Sequence, residues 1–536
     1  MDHQRAPRVP MRLGSVVITR AGFYWSSTFL TAAVTLFFAL RSGQDVNWDQ
    51  LNYHLSSPFL LLHGTFWRSI APSGLQTYLN PLVLLPQYIM LRSLPPMAAT
   101  IVIDLVQCLA FVIAARICLG VAGPDLDGTG YRHALLGFVL CLASPMALSE
   151  AGTTIVDLLL ATPVLLAYYL LLQRETASAS RRSCVVAGIL LGVAAGLKLT
   201  NAPFAIGAPL FLLAGTASPR QRAIDLVQLV LGGMAGFVVV AGYWHFELWR
   251  HFGSPTFPYF NDIFHSPDAP AVSLRDSRFV TTSAWDVVRY PVYWLFGGSP
   301  TPGLLSPASE TDPKDARFVL ILLVAPAALA VHACRRDQPR LLARPATGLL
   351  LAWALDYLVW LYLFGIHRYM IPIEILSGAV LLVLVSWIDT GRLRFWVLLA
   401  MAAVVLVRIH VASWQHLPWA AHSRVVATAP LRLQGAPIIF LSSKPTAFVA
   451  LSLPDTARYV GMYGDFDLAA TNDTTLTRQL KRDLAAADGI SLYAVVLGTL
   501  PGVTARELAS YGLRVSDDCQ PLAAGGKTFR VCTVVR

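Results

Sequence analysis

The stretch GQDVNWDQLNYHLSSPFLLLHG (43–64) places Asp45 and Asp49 ahead of Tyr53 and His54, directly after the first long apolar run. A carboxylate at the rim of an apolar segment can take the proton of a hydroxyl and act as a general base. Asp49 is the stronger candidate for that role. It has a plainer alternative as the N-cap of a helix over 50–62, since Asp is good capping chemistry. Asp45 is either a loop residue or a second candidate for the same role. Glu150 and Asp157 flank the turn SEAGTTIVD, and Asp157 opens a further apolar segment, again with a cap as the alternative. Cations stand at similar places: Lys198 in GLKLTN, which also contains Asn201, and His367 and Arg368 in GIHRY. An ammonium or a planar guanidinium there suits a phosphate oxygen; the simpler reading is a side chain snorkelling to lipid headgroups.

The elements that must position these residues follow from composition. The 536 residues are 55% hydrophobic and 13% charged, against about 25% charged in soluble proteins, and the mean hydropathy is +0.57. Repeated apolar runs make this a polytopic α-helical membrane protein. The +10 formal charge resides in Arg clusters between spans, so nucleic acid is not an expected partner. Spans are expected at 21–40, 98–115, 133–149, 155–172, 183–197, 202–216, 223–244, 317–333, 345–364, 369–388 and 395–411, about eleven in all. The first is read as uncleaved, because no small-residue cleavage site follows it, with the N-terminus in the cytoplasm. The turns then assigned to the cytoplasm are basic (Arg116 and Arg132; Arg174, Arg181 and Arg182; Arg220 and Arg222; Arg335, Arg336, Arg340 and Arg344; Arg392 and Arg394), as positive-inside topology requires. This holds only if TYLNPLVLLPQYIML (77–91), short and interrupted by Pro81 and Pro86, lies in the interface without crossing. The polar stretches then collect on the periplasmic face of an inner membrane.

The organisation expected is a transmembrane unit over 1–411, with a first periplasmic loop at 41–97 carrying interfacial helices and a larger one at 245–316, followed by a small soluble α/β domain over 412–536. Aromatics in the 245–316 loop serve as interfacial anchors and also stack on sugar rings. Cys519 and Cys532 flank a closing hairpin, and in an oxidising compartment a disulfide is expected between them. DLD (125–127) and DFD (465–467) resemble metal motifs, but neither follows a nucleotide-binding strand, and both are discounted. Zinc spacing, a phosphate-binding Gly loop and a Ser-nucleophile motif are not found.

An uncleaved first span, a first loop with D-x-x-x-Y-H (Asp49, Tyr53, His54) and an acid in the second outer loop resemble the GT-C glycosyltransferases, polytopic enzymes that use polyprenyl-phosphate sugars. That superfamily includes protein O-mannosyltransferases and lipid A aminoarabinose transferases; TYLNPLVLLP, GTTIVDLLLATPVLLAYYLLL, GLKLTNAPFAIG, FGSPTFPYFN and RYMIPIEILSG together look closer to bacterial GT-C-like proteins of unassigned substrate, over residues 21–410. The resemblance implies that the first-loop acid, here Asp49, is the general base. It implies that basic residues hold the lipid phosphate: Lys198 and Arg368 first, then Arg278 and Arg317. One departure is that Gln50 follows Asp49 where the family commonly has a second acid, which leaves room for Asp45. The implied reaction is inverting transfer from a polyprenyl-phosphate sugar to a hydroxyl of a glycan, lipid or protein, with neither metal nor other cofactor. The competing expectations are a lipid or sugar transporter and a glycan ligase using a polyprenyl-diphosphate donor; a scaffold with a partner-binding outer domain is a third.

Overall fold

The computed structural model describes residues 19–122, 128–174, 182–274, 276–281, 283–297, 309–335, 341–388, 391–427, 431, 433, 435, 437–486 and 491–536. Arg181, Arg336, Arg340 and the DLD motif at 125–127 lie outside them. Six helices are long and apolar enough to cross a membrane: Arg20–Ser42, Pro96–Ala122, Pro219–Phe252, Arg317–Cys334, Pro345–Leu363 and His367–Ile388. Shorter apolar helices at Gly130–Leu142, Asp157–Leu172, Ser183–Leu197 and Leu199–Leu213 join them, and Arg392–Arg408 is helical as well. Each expected span falls on helix, although 133–149 breaks after Leu142 and resumes only as the short turn Pro145–Ser149. The 77–91 stretch forms no long helix. It is divided into Gly74–Tyr78, Pro81–Val83 and Leu85–Ser93, the last far shorter than the roughly 20 residues a crossing needs.

Local chemistry sets how these helices face. In Arg20–Ser42 the buried residues Phe23, Ser27, Thr31, Thr35 and Ala39 recur every four positions, a single stripe turned toward the bundle whose members after Phe23 are small. Trp25, Phe29 and Phe37 are exposed on the other side, where lipid would lie. Thr35 donates to the buried Asp104 carboxylate at 2.9 Å, joining this helix to the next. Helices Ser183–Leu197 and Pro219–Phe252 approach through glycine. A methyl group on Gly188 or Gly192 would overlap the backbone of Leu229 or Gly233, and one on Gly232 or Gly236 the backbone of Val185 or Ile189. Close contact through small residues is the usual basis of helix association in lipid. Here it fixes the helix whose end carries Lys198.

The C-terminal part is α/β as expected, with PTAFVALSL (445–453) forming a 3-10 helix over Ala447–Ser452. The first-loop strand β1 (Gln44–Asp45) pairs with β2 (His416–Leu417). Five further strands, β3 (Ile438–Leu441), β4 (Arg458–Gly461), β5 (Leu492–Val496), β6 (Arg514–Ala524) and β7 (Lys527–Val535), form a sheet ordered β4-β3-β5-β7-β6. β3 is parallel to β4 and β5, and the β6–β7 hairpin closes the sheet antiparallel to β5. Cys519 and Cys532 face each other across that hairpin and are disulfide-bonded.

The sheet is not separate from the first loop. Ile70 bridges Val460 at the open edge of β4, donating from its N–H to the Tyr459 carbonyl at 2.8 Å and accepting from Gly461 at 2.9 Å. An edge strand that would otherwise present unpaired backbone is thereby covered. Leu51, Leu55 and Phe59 of the first loop share one apolar core with Phe440, Phe448 and Val460, and with Trp244, Leu248 and Phe252 at the end of a long helix. Asp465 of the discounted DFD motif pairs with Lys444 and accepts from the Leu75 N–H, so it serves as a clasp between loop and sheet.

Candidate active site

The opening stretch is helical from Trp48, one turn of it a π-helix over Gln50–His54, a local widening often found at functional sites. The capping role expected of Asp49 belongs to Asn47, whose side-chain oxygen accepts from the Gln50 N–H at 2.9 Å. Asp49 makes no cap hydrogen bond. Its Oδ2 accepts instead from Arg368 Nη1 at 2.5 Å, joining residues 319 positions apart. Burial alone would raise the Asp49 carboxyl, but the Arg368 guanidinium holds it below its ordinary value.

Asp45 has a different environment. Its two oxygens accept from the Asn47 N–H and side-chain amide, and from the Thr154 N–H at 2.8 Å and hydroxyl at 3.0 Å. A carboxylate so fully engaged braces the first loop against the 149–157 turn.

Arg368 is the centre of the charged cluster. Besides Asp49, its Nε lies 2.7 Å from Glu310 Oε2 and its Nη1 lies 3.8 Å from Asp157 Oδ2. Lys198 donates to Asp157 Oδ1 at 2.6 Å, and its ammonium sits 4.8 Å from the centre of the Tyr369 ring, with Arg368 5.2 Å from the same ring. Asn201 is buried and donates to the Lys198 carbonyl at 3.3 Å, fixing the backbone turn there. Asp49, Asp157, Lys198 and Arg368, all singled out by residue type, thus meet at the ends of separate helices. Glu310 and Tyr369 join them without having been expected.

The other candidates lie at the edge or elsewhere. Glu150 is buried, with one oxygen accepting from the Leu158 N–H at 2.9 Å and the other without a hydrogen bond. Burial, with Asp157 adding to it, pushes the Glu150 carboxyl well up. Tyr53 packs against Val83, Val156 and Leu160, and its ring meets that of His54 edge-on at 4.4 Å. Burial pushes the His54 imidazole down to about 3, so it stands neutral beside Asp49. Arg278 is exposed and held by Asp276 at 2.6 Å, with Glu310 3.9 Å away.

Arg317 and His367 belong to a second, deeper network that does not include Asp49. Arg317 is wholly buried, and its five N–H groups are directed at both oxygens of Asp315, the Leu140 carbonyl, the Ser144 hydroxyl and Glu374. Glu374 also accepts from the Met146 and Ala147 N–H groups, capping the short turn ahead of Glu150. His367 lies 3.8 Å from Glu374 and against Trp294. With every donor committed, Arg317 serves helix packing and has none left for a phosphate. No group of three or more His, Cys, Asp or Glu arranged to hold a metal ion is found among the described residues.

No curated protein matches the chain by sequence. Among solved structures it is similar to ArnT from Cupriavidus metallidurans bound to undecaprenyl phosphate, at 14% identity over 96% of this chain and 98% of that one, with a TM-score of 0.44. It is also similar to the Archaeoglobus fulgidus oligosaccharyltransferase tethered with an acceptor peptide, at 12% identity over 89% and 69% of the two chains, with a TM-score of 0.46. The family model of Glycosyltransferase family 87, a GT-C-type family, matches residues 78–359. That stretch is more than half of the 536 residues and includes Asp157, Lys198 and Glu310, and on this ground the chain belongs to glycosyltransferase family 87.

Proposed function

We propose that this multi-pass membrane glycosyltransferase moves a sugar from a polyprenyl-phosphate donor to an acceptor hydroxyl at the periplasmic face, with inversion at the anomeric carbon. The observation that carries the reading is the meeting of Asp49, Asp157, Lys198 and Arg368 at one end of the helix bundle. Asp49, able to accept a proton there, is paired with Arg368, and Asp157 lies between that guanidinium and the Lys198 ammonium, two cations able to hold a phosphate. Lys198 and Arg368 bind the donor phosphate, the guanidinium through its planar fork. Asp49 takes the proton of the acceptor hydroxyl as its oxygen bonds to the anomeric carbon. The bond from that carbon to the phosphate oxygen breaks, and its electron pair leaves with the phosphate. The two cations stabilise the charge that develops on the leaving group, so the proposal needs no metal.

Asp49 has Arg368 as its partner before donor binds. A phosphate that draws on the same guanidinium weakens that hold and makes the carboxylate a better base when donor is present. Orientation belongs to the same proposal: the N-terminus faces the cytoplasm, and the first loop and sheet face the periplasm.

The test is donor dependence. Lys198→Ala and Arg368→Ala should each raise the donor KM by roughly ten- to a hundred-fold, the loss of one charged hydrogen bond to an anion. An unchanged donor KM in both variants would reduce these residues to interfacial anchors.

A further inference from the structure

We propose that Glu310 is a displaceable internal competitor for the donor phosphate: it occupies the Nε edge of Arg368 in the resting enzyme and yields it, moving toward Arg278, when donor binds. The proposal rests on the phosphate-binding role given above to Arg368, and it concerns a residue that role does not require.

A guanidinium engages phosphate bidentately through two N–H groups along one edge. Asp49 holds Arg368 at Nη1 with an aligned hydrogen bond, and Glu310 lies at Nε. Among the described residues, no carboxylate is paired with Nη2. A phosphate taking the Nε–Nη2 edge would displace Glu310 and leave Asp49 in contact, with the base kept beside the leaving group.

Several observations make Glu310 the acid that yields. Its contact with Arg368, although 2.7 Å long, is not an aligned hydrogen bond: Glu310 Oε2 and Arg368 Nε are both buried without a hydrogen-bond partner. Its side chain is 24% exposed, against 11% for Asp49 and 4% for Asp157, so its release to water is the least costly. Asp49 and Asp157 are fixed on helical turns, whereas Glu310 lies on the irregular segment leading to the helix at Arg317. Arg278 stands 3.9 Å from it on the exposed side, a second cation already within reach. Burial also raises the Glu310 carboxyl above its ordinary value, which eases its detachment as a second anion arrives.

The sign of one measurement decides between competitor and brace. Binding of polyprenyl phosphate to the full-length enzyme in nanodiscs should become about tenfold tighter in Glu310→Gln, since one charged competitor is removed. If Glu310 instead holds Arg368 in its working position, the same variant binds more weakly, and the proposal fails. Arg278→Ala provides the independent check. It should weaken binding in the wild-type background, where Glu310 has lost its alternative partner, and have no effect in the Glu310→Gln background. An equal loss in both backgrounds would mean that Arg278 touches the phosphate directly, which overturns the exchange. Arg368→Ala separates this proposal from its premise: unchanged binding there rejects the phosphate site itself, while weakened binding there together with weakened binding in Glu310→Gln rejects only the competitor role.

Discussion

Asp49→Asn separates proton transfer from architecture, because the structure assigns the helix cap to Asn47 and leaves Asp49 no capping bond to lose. The amide keeps the shape of the carboxylate and retains an oxygen that accepts from Arg368 Nη1. What disappears is the charge in an ion pair whose side chains are only 9% and 11% exposed. Arg368 still has Glu310 beside it, so the guanidinium is not stranded. The cost to folding should stay within about 1.5–3 kcal/mol, the worth of a hydrogen bond to a charged group. The cost to catalysis should be larger. Removing a general base lowers transfer by about 10²–10⁴-fold, or roughly 2.7–5.5 kcal/mol in the barrier. Initial rates at saturating donor, with thermal unfolding of the same preparation, measure the two effects separately. Asp45→Asn is the control: its carboxylate braces Thr154, so it should lower stability more than rate. Wild-type turnover by Asp49→Asn would refute the reasoning, and a slow but stable Asp45→Asn would move the base to Asp45.

Gly192→Val should lower stability by about 1–3 kcal/mol, the usual cost of overpacking, and impair donor use by shifting Lys198; an unchanged melting temperature would contradict the glycine contact with Gly233. Replacing both Cys519 and Cys532 by Ser should cost about 2–4 kcal/mol, read as a lower unfolding midpoint of the sheet that a reductant reproduces in the wild-type protein. Reporter fusions after Arg182 and Arg344 should report cytoplasm and those after His265 and Leu433 periplasm, whereas a periplasmic signal at Arg344 would reverse the topology.

Much of this was legible because charge is expensive where lipid begins. Asp49, Asp157, Lys198 and Arg368 stood out as charges at the ends of apolar runs, and the structure joins them. The same signal could not tell Arg368 from Arg317. Both open an apolar helix, and what separates them is the company each keeps: Asp315, Ser144 and Glu374 for Arg317, and Asp49 and Glu310 for Arg368. Glu310 carries no such signal, since it lies in a long loop with no periodic pattern around it, and only the fold brings it to Arg368. The cap falls at Asn47 because the helix begins at Trp48 and not at the expected 50, a shift within the usual uncertainty of helix ends. The strands and helices after 437 follow their local patterns, but the pairing of Ile70 with Val460 joins segments 390 residues apart and leaves no local trace. Gly188, Gly192 and Gly196 carry a small-residue spacing that is readable in the sequence and marks a close helix contact.

The central claim is that donor chemistry occurs at the Asp49–Arg368 end of the bundle, using a lipid monophosphate as leaving group. Its most direct test is radiolabel transfer in proteoliposomes containing the purified wild-type enzyme and a polyprenyl-phosphate sugar labelled in the sugar. Label should leave the lipid for an acceptor hydroxyl, with polyprenyl phosphate released in equal amount. Label that crosses the bilayer still attached to its lipid, or that transfers only from a polyprenyl-diphosphate donor, would contradict it.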